Sequence, residues 1–217
     1  MRLGIMGGTF DPIHFGHLFI AEEARVQFRL ERVLFIPNGS PPHKPDRAIT
    51  SATHRFTMAE LATEPNAAFC CSALELNRSG PSYTVDTLDL VREAYPGAEL
   101  YTIIGVDAIA EILTWKRPDE VMDKTSFIVA ARPGFDLRIL KDRLPASYLE
   151  RLLIVDTTAL GISSTDIRAR VRQAQPIRYL APDTVVDHIV EQRLYVESHP
   201  FAAAGQGTCY TGAKAPE

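Results

Sequence analysis

His14 and His17 stand three residues apart in the run Met6-Gly7-Gly8-Thr9-Phe10-Asp11-Pro12-Ile13-His14-Phe15-Gly16-His17. Imidazoles at that spacing share one face of a helix that opens near Ile13, and residues 18–26 carry helix-like apolar spacing. Just upstream, Leu3-Gly4-Ile5 reads as a buried first strand. The stretch is therefore a strand-to-helix turn. Gly7 and Gly8 let backbone N–H groups approach an anion that a β-carbon would block. Two histidines, the unpaired N–H groups and the positive end of the helix dipole together make a polyphosphate site. Two histidines alone fit metal binding or plain packing about as well as catalysis. A zinc site lacks a third ligand, because His43 and His54 lie in differently patterned segments.

A second constellation lies near the other end: Ile162-Ser163-Ser164-Thr165-Asp166-Ile167-Arg168. It reads as a helix start with three hydroxyls and an arginine one turn in. Taken alone, it is a helix capped by Ser163 or Ser164 with Arg168 in water. Taken with the histidine turn, its N–H groups and Arg168 would grip a triphosphate from the opposite side.

The elements that must position these groups alternate. Strands are expected at residues 32–36, 67–76, 100–104, 126–131 and 152–155. Helices are expected at 51–63, where Phe56, Met58, Ala59 and Leu61 are spaced helically, and from Ser82 or Tyr83-Thr84, with Val85, Leu88, Val91 and Tyr95 on one face. A short helix leads to Thr114, and two more close the chain, from Ser163 and over about 183–194. Alternation of this kind implies an α/β fold: a doubly wound, Rossmann-like parallel sheet with helices on both faces and ligands at the carboxyl ends of the strands. One domain, residues 1–196, is expected, with a small helical C-terminal part at about 163–196 and a loose tail over 197–217.

With 217 residues and 46% hydrophobic content the chain builds an ordinary globular core. Its formal charge of −4 argues against a nucleic-acid partner. Any anionic substrate must be held by a local positive cluster. Cys70, Cys71 and Cys209 form neither a metal spacing nor a disulfide framework, so a reducing, cytoplasmic location is expected. No leader-like segment and no run of about eighteen apolar residues points to a membrane. The sequence leaves a homo-oligomer open.

Residues 8–17 match G-x-F-D-P-x-H-x-G-H, and residues 162–168 match I-S-S-T-x-x-R without departure. In both, the chain resembles the nucleotidyltransferase superfamily. The intervening segments 37–44 and 82–88, Gly105-Val106-Asp107-Ala108, Trp115 and Arg132-Pro133-Gly134 look like those of bacterial nicotinate mononucleotide adenylyltransferases. The likeness runs from residue 1 to about 196.

That resemblance implies transfer of the adenylyl group of ATP to nicotinate mononucleotide, giving nicotinate adenine dinucleotide and pyrophosphate in NAD biosynthesis. His14, His17, Lys44 and Arg168 would be catalytic and supply positive charge to the phosphates, with Mg²⁺ carried on ATP. Gly7, Gly8, Thr9, Phe10, Gly105, Asp107, Ser163, Ser164 and Thr165 would contact ATP. Tyr83, Thr84, Trp115 and Arg132 would hold the mononucleotide: Trp115 against the pyridinium face, the helix start at Tyr83-Thr84 against the ring carboxylate. The attacking phosphate is largely dianionic near neutral pH, its second pKa being about 6, so no general base is required. Two alternatives stay open: the same chemistry on another acceptor such as phosphopantetheine, and a nucleotide sensor that has lost the chemistry.

Overall fold

The computed structural model describes residues 1–40, 49–78, 80–131, 138–155, 158 and 160–196. Lys44, Arg132 and the tail 197–217 lie outside the described residues. Six strands form one sheet in the order β3-β2-β1-β4-β5-β6. They are β1 (Arg2–Gly8), β2 (Arg32–Pro37), β3 (Phe69–Cys71), β4 (Glu99–Gly105), β5 (Ser126–Ala130) and β6 (Leu152–Val155). Every pairing is parallel.

Strands covered on both faces read as nearly continuous apolar runs, and the side chains of β2 show why. Val33 and Phe35 enter one core, Leu34 and Ile36 the other. In β5, Phe127 and Val129 alternate with Ile128 and Ala130 in the same way. The first core is closed by α1 (Phe15–Gln27), α2 (Ala52–Thr63), α8 (Ser164–Arg172) and α9 (Asp183–Glu191). The second is closed by α3 (Thr84–Ala94), α4 (Val106–Ile109), α5 (Pro118–Lys124), α6 (Arg138–Arg143) and α7 (Ala146–Leu149). The expected doubly wound sheet with helices on both faces is thus present. Among the described residues no helix is long and apolar enough to cross a membrane.

Three details differ from the sequence expectations. The strand expected at residues 67–76 shrinks to β3, because after Ser72 N–H donates to Phe35 O (2.9 Å) the chain turns, with Asn77 N–H donating to Ala73 O. Cys70 and Cys71 are half-buried, one against each core, and burial pushes the Cys71 thiol up to about 12. The short helices α5, α6 and α7, of seven, six and four residues, were not anticipated. Each is too brief to show a period.

Candidate active site

The sheet order reverses beside β1: the chain winds outward through β2 and β3, then crosses back to place β4 on the other side. In open α/β sheets ligands bind outside the carboxyl ends of the strands at such a point. A cleft of about 730 Å³ lies there. Met6 and Gly7 reach it from β1, Ile104 and Gly105 from β4, and Asp107 from α4. Thr9, Phe10, His14 and His17 line it from the turn into α1, and Ser163, Ser164, Thr165 and Arg168 from the start of α8. The two sequence motifs, some 150 residues apart, therefore face one space.

The turn is built around its histidines. His14 is the N-cap of α1 with extended backbone (φ −152°, ψ 170°), and His17 sits three residues into the helix. The rings stack, with centroids 3.8 Å apart and planes 25° from parallel. Phe10 meets His17 edge-on at 5.1 Å. Gly16 is a steric requirement of this stack: a β-carbon there would lie 3.0 Å from His14 Nδ1. Gly8 plays a comparable part, its β-carbon position being 3.0 Å from the Phe10 ring, and its carbonyl accepts from Asn38 N–H.

His14 N–H donates to His17 Nδ1 (3.3 Å). An imidazole that accepts at Nδ1 while neutral carries its proton on Nε2. Burial lowers the His14 pKa to about 4, and burial followed by the neighbouring His14 takes His17 well below the ordinary histidine range. In the unliganded cleft the pair is therefore neutral near pH 7. It offers hydrogen-bond donors rather than the positive charge the sequence suggested.

A pH dependence follows. Folded His14 resists protonation down to about pH 4, whereas an unfolded histidine titrates near pH 6.5. The unfolded chain thus binds more protons in that window, so stability is full above about pH 6.5 and is lost as pH falls towards 4. His188, lowered by burial and by His54 (Nδ1 to Nε2, 3.2 Å) across the α2–α9 contact, acts in the same direction. We expect the unliganded Tm to fall between pH 7 and pH 5. A flat or rising Tm would contradict the neutral pair.

Behind the cleft, buried polar contacts brace the turn. Arg168 is buried, donates to the Asp11 carbonyl, and donates to Thr165 Oγ1 at 3.1 Å. Ser164 Oγ donates to Pro12 O (2.8 Å), and Ser163 Oγ accepts from Asp166 N–H (3.1 Å) as N-cap. All three hydroxyls of the second motif thus have protein partners. Ser164 and Thr165 also line the cleft, and their N–H groups belong to the first turn, where a helix has no internal acceptors.

Arg55 is the residue that sequence reasoning missed. It is 1% exposed and donates to three carbonyls: Thr50 O (2.9 Å), Thr9 O (2.9 Å) and Gly39 O (3.2 Å). Burial lowers its pKa, opposed by the field of Asp11. One cation thereby joins the β1–α1 turn to the segment after β2. That segment is fixed in turn to the entry of α3, where Ser82 Oγ accepts from Gly39 N–H (3.1 Å) and Ser40 N–H (3.2 Å).

Tyr83, Thr84 and Trp115 do not line the cleft itself. Tyr83 and Trp115 pack half-buried against the second core, Trp115 edge-on to Phe127 at 6.4 Å. Tyr83 is the N-cap of α3 and Thr84 its first residue. Asp86, one turn in, pairs with Arg78 (3.0 Å), Lys116 (3.1 Å) and Arg117 (2.9 Å); burial works to raise its carboxyl pKa, but Arg78 and Lys116 hold it below the usual range. Lys116 Nζ lies 4.4 Å above the Tyr83 ring. Three cations thus gather on one carboxylate at the α3 start, and Arg117 also pairs with Glu120 (3.2 Å).

Comparison with known proteins agrees with this geometry. The model of the cytidylyltransferase-like family matches residues 5–170. A Desulfitobacterium hafniense protein named "Probable nicotinate-nucleotide adenylyltransferase" is 50% identical over 197 residues, 89% of this chain and 95% of that protein. One of the same name from Moorella thermoacetica is 50% identical over 198 residues, 89% and 91% of the two chains. Among solved structures, Plasmodium falciparum nicotinic acid mononucleotide adenylyltransferase complexed with NaAD superposes with a TM-score of 0.71 at 22% identity, over 89% of this chain and 97% of that one. It shares the fold. With both motifs facing the cleft at the reversal of the sheet and half of all aligned residues identical to those relatives, the chain belongs to the nicotinate-nucleotide adenylyltransferases of the cytidylyltransferase-like family.

Proposed function

We propose that this chain transfers the adenylyl group of ATP to nicotinate mononucleotide, releasing pyrophosphate and forming nicotinate adenine dinucleotide on the route to NAD. The observation that carries the chemistry is the stacked His14–His17 pair lining one cleft together with the α8 N-terminus. A mononucleotide phosphate oxygen attacks the α-phosphorus of ATP; the new P–O bond forms as the bond to the β-phosphate bridging oxygen breaks, and pyrophosphate leaves with those electrons. The attacker is already anionic at neutral pH, so no side chain need remove a proton. Catalysis reduces to alignment and to stabilising charge on the phosphoryl oxygens.

His17 is well placed for that work. With its proton on Nε2 and its ring half-buried along the cleft, it is a preorganised donor that needs no reorientation as charge develops. His14 and the N–H groups of Ser164 and Thr165 add donors, and Arg168 adds fixed positive charge. Gly7 and Gly105 keep the cleft floor open, since a β-carbon at either would meet no atom within 4 Å. Thr9, Phe10 and Asp107 are assigned to the ATP side. Lys44 is assigned to the phosphates and Arg132 to the mononucleotide from the sequence motifs alone.

Mg²⁺ is proposed to arrive on the triphosphate, whose charge it shields. Among the described residues no group of three or more His, Cys, Asp or Glu side chains is placed to hold a metal ion, which suits an ion held by phosphates and water. The pyridine ring is assigned to the α3 side, with Trp115 and Tyr83 as apolar walls and the Thr84 N–H facing the carboxylate.

The direct test is pyrophosphate release from MgATP with a panel of phosphorylated acceptors. Nicotinate mononucleotide should support turnover and phosphopantetheine should not. Release with phosphopantetheine alone would move the chain to a different acceptor; release with none would leave a nucleotide-binding protein.

A further inference from the structure

We infer that Tyr195, beyond the end of α9, is a positioning residue for the catalytic turn: its hydroxyl holds the buried Asp11 carboxylate, and through Asp11 it sets where His14 and Arg168 stand. The inference rests on the reading of the cleft as the adenylyl-transfer site. Tyr195 Oη donates to Asp11 Oδ1 at 2.9 Å across 184 residues of sequence. Asp11 is 4% exposed, so its carboxylate depends on protein partners. The other oxygen, Oδ2, is 3.8 Å from Arg168 Nη1, a contact longer than a hydrogen bond. The phenol is thus the close donor to that carboxylate, and Arg168 the near charge.

Two further features point to placement rather than incidental packing. Tyr195 adopts φ +66°, the left-handed region that L residues rarely enter, at the end of a turn in which Arg193 also has positive φ. Such backbone persists where surrounding structure holds it. Burial and the adjacent Asp11 also raise the phenol's pKa, so it remains a donor at any working pH.

Consider the loss of this one hydroxyl. Asp11 Oδ1 is left buried without its donor, beside two arginines: Arg168 on its own carbonyl and Arg55 on the Thr9 carbonyl two residues back. The carboxylate closes on Arg168, and the turn shifts with it. His14 is three residues further along, so the histidine stack and Arg168 both move relative to the phosphates. Substrate affinity, spread over many contacts, should change little. The step that needs donors aligned on developing charge should suffer.

The test compares Tyr195→Phe with Val185→Ala, a buried apolar α9 position that carries no hydrogen-bonding side chain, as a control for lost stability. Each is assayed with MgATP and nicotinate mononucleotide well below its Tm, and the imidazole ¹⁵N spectra of His14 and His17 are recorded without substrates. Expected for Tyr195→Phe are a fall in kcat of about tenfold or more, KM for each substrate within about threefold, and a changed His17 spectrum with loss of the pure Nε2–H tautomer. Val185→Ala should lose Tm while keeping kcat and the spectrum. Unchanged kcat and spectrum in Tyr195→Phe would overturn the assignment. So would equal losses in the two variants, or loss of the folded spectrum altogether. If the unmodified protein turns over neither substrate, the functional reading fails, and the ¹⁵N comparison alone decides whether Tyr195 sets the turn.

Discussion

Replacing His17 with alanine is expected to lower kcat at least about a hundredfold, the scale seen when one preorganised donor to developing charge is removed. The structure sharpens why. His17 is half-buried against Phe10 and His14, its Nδ1 is occupied by the His14 N–H, and its proton is thereby committed to Nε2. No other side chain in the turn has its tautomer fixed in this manner. The same contact predicts a modest cost in stability of about 1 kcal/mol, since the His14 N–H loses its acceptor. KM for ATP should rise less than kcat falls, because a donor used mainly in the transition state contributes little to ground-state binding. Near-full turnover in His17→Ala, with Tm lowered, would make His17 a cap of α1 and nothing more.

A preference for the acid over the amide is the second large effect. Nicotinate and nicotinamide mononucleotides differ only in a carboxylate against a carboxamide. If backbone N–H donors of the Tyr83-Thr84 helix start, that of Thr84 among them, meet that group, both carboxylate oxygens accept, whereas the amide can turn its one oxygen to a single donor and must turn its NH₂ towards another. An unpaired buried donor costs about 1–3 kcal/mol, and the lost charge-assisted bond adds to it. The surroundings favour the anion further through the positive end of the α3 dipole and the nearby cations Arg78, Lys116 and Arg117, which Asp86 and Glu120 offset in part. We expect kcat/KM to favour the acid by at least about a hundredfold. Thr84 is the first residue of α3, where proline is compatible with a helix. Thr84→Pro therefore deletes the N–H without breaking α3 and should erode the preference, while Thr84→Ala should keep it. Equal kcat/KM for the two mononucleotides in the unmodified protein would remove this account of the pocket and leave adenylyl transfer standing.

The sheet was legible because its strands are covered on both faces and so read as apolar runs closed by glycine or proline, as in residues 32–37. The place of the histidine turn was legible too, since it follows a strand end, whereas the second motif begins seven residues beyond β6. Less visible was what the polar groups do once buried. In α2 the buried positions are Arg55, Met58, Ala59, Ala62 and Thr63, a regular helical stripe with an arginine at its head. Reading the stripe through Phe56 and Leu61 hides Arg55, because a lone arginine on a helix normally faces water. The period carried the signal; the residue type masked it. The neutrality of His14 and His17 was likewise unreadable, since it comes from burial that only the assembled turn creates. The Tyr195–Asp11 contact spans nearly the whole chain and has no local signature.

That long span has a consequence for how the protein is made. β1 is the first strand synthesised, yet one of its two partners in the sheet, β4, begins only at Glu99. The turn after it is braced by Ser164, Arg168 and Tyr195, which lie 152, 157 and 184 residues from the atoms they bond. A nascent chain can pair β1 with β2 and pack α1 early, at low loop-closure cost. It cannot fix the histidine turn until α8 and the residue after α9 have left the ribosome, for domains complete their long-range contacts last. The cleft is therefore completed only once residue 195 has emerged. Shorter fragments carry the histidine motif but lack the support that aims it.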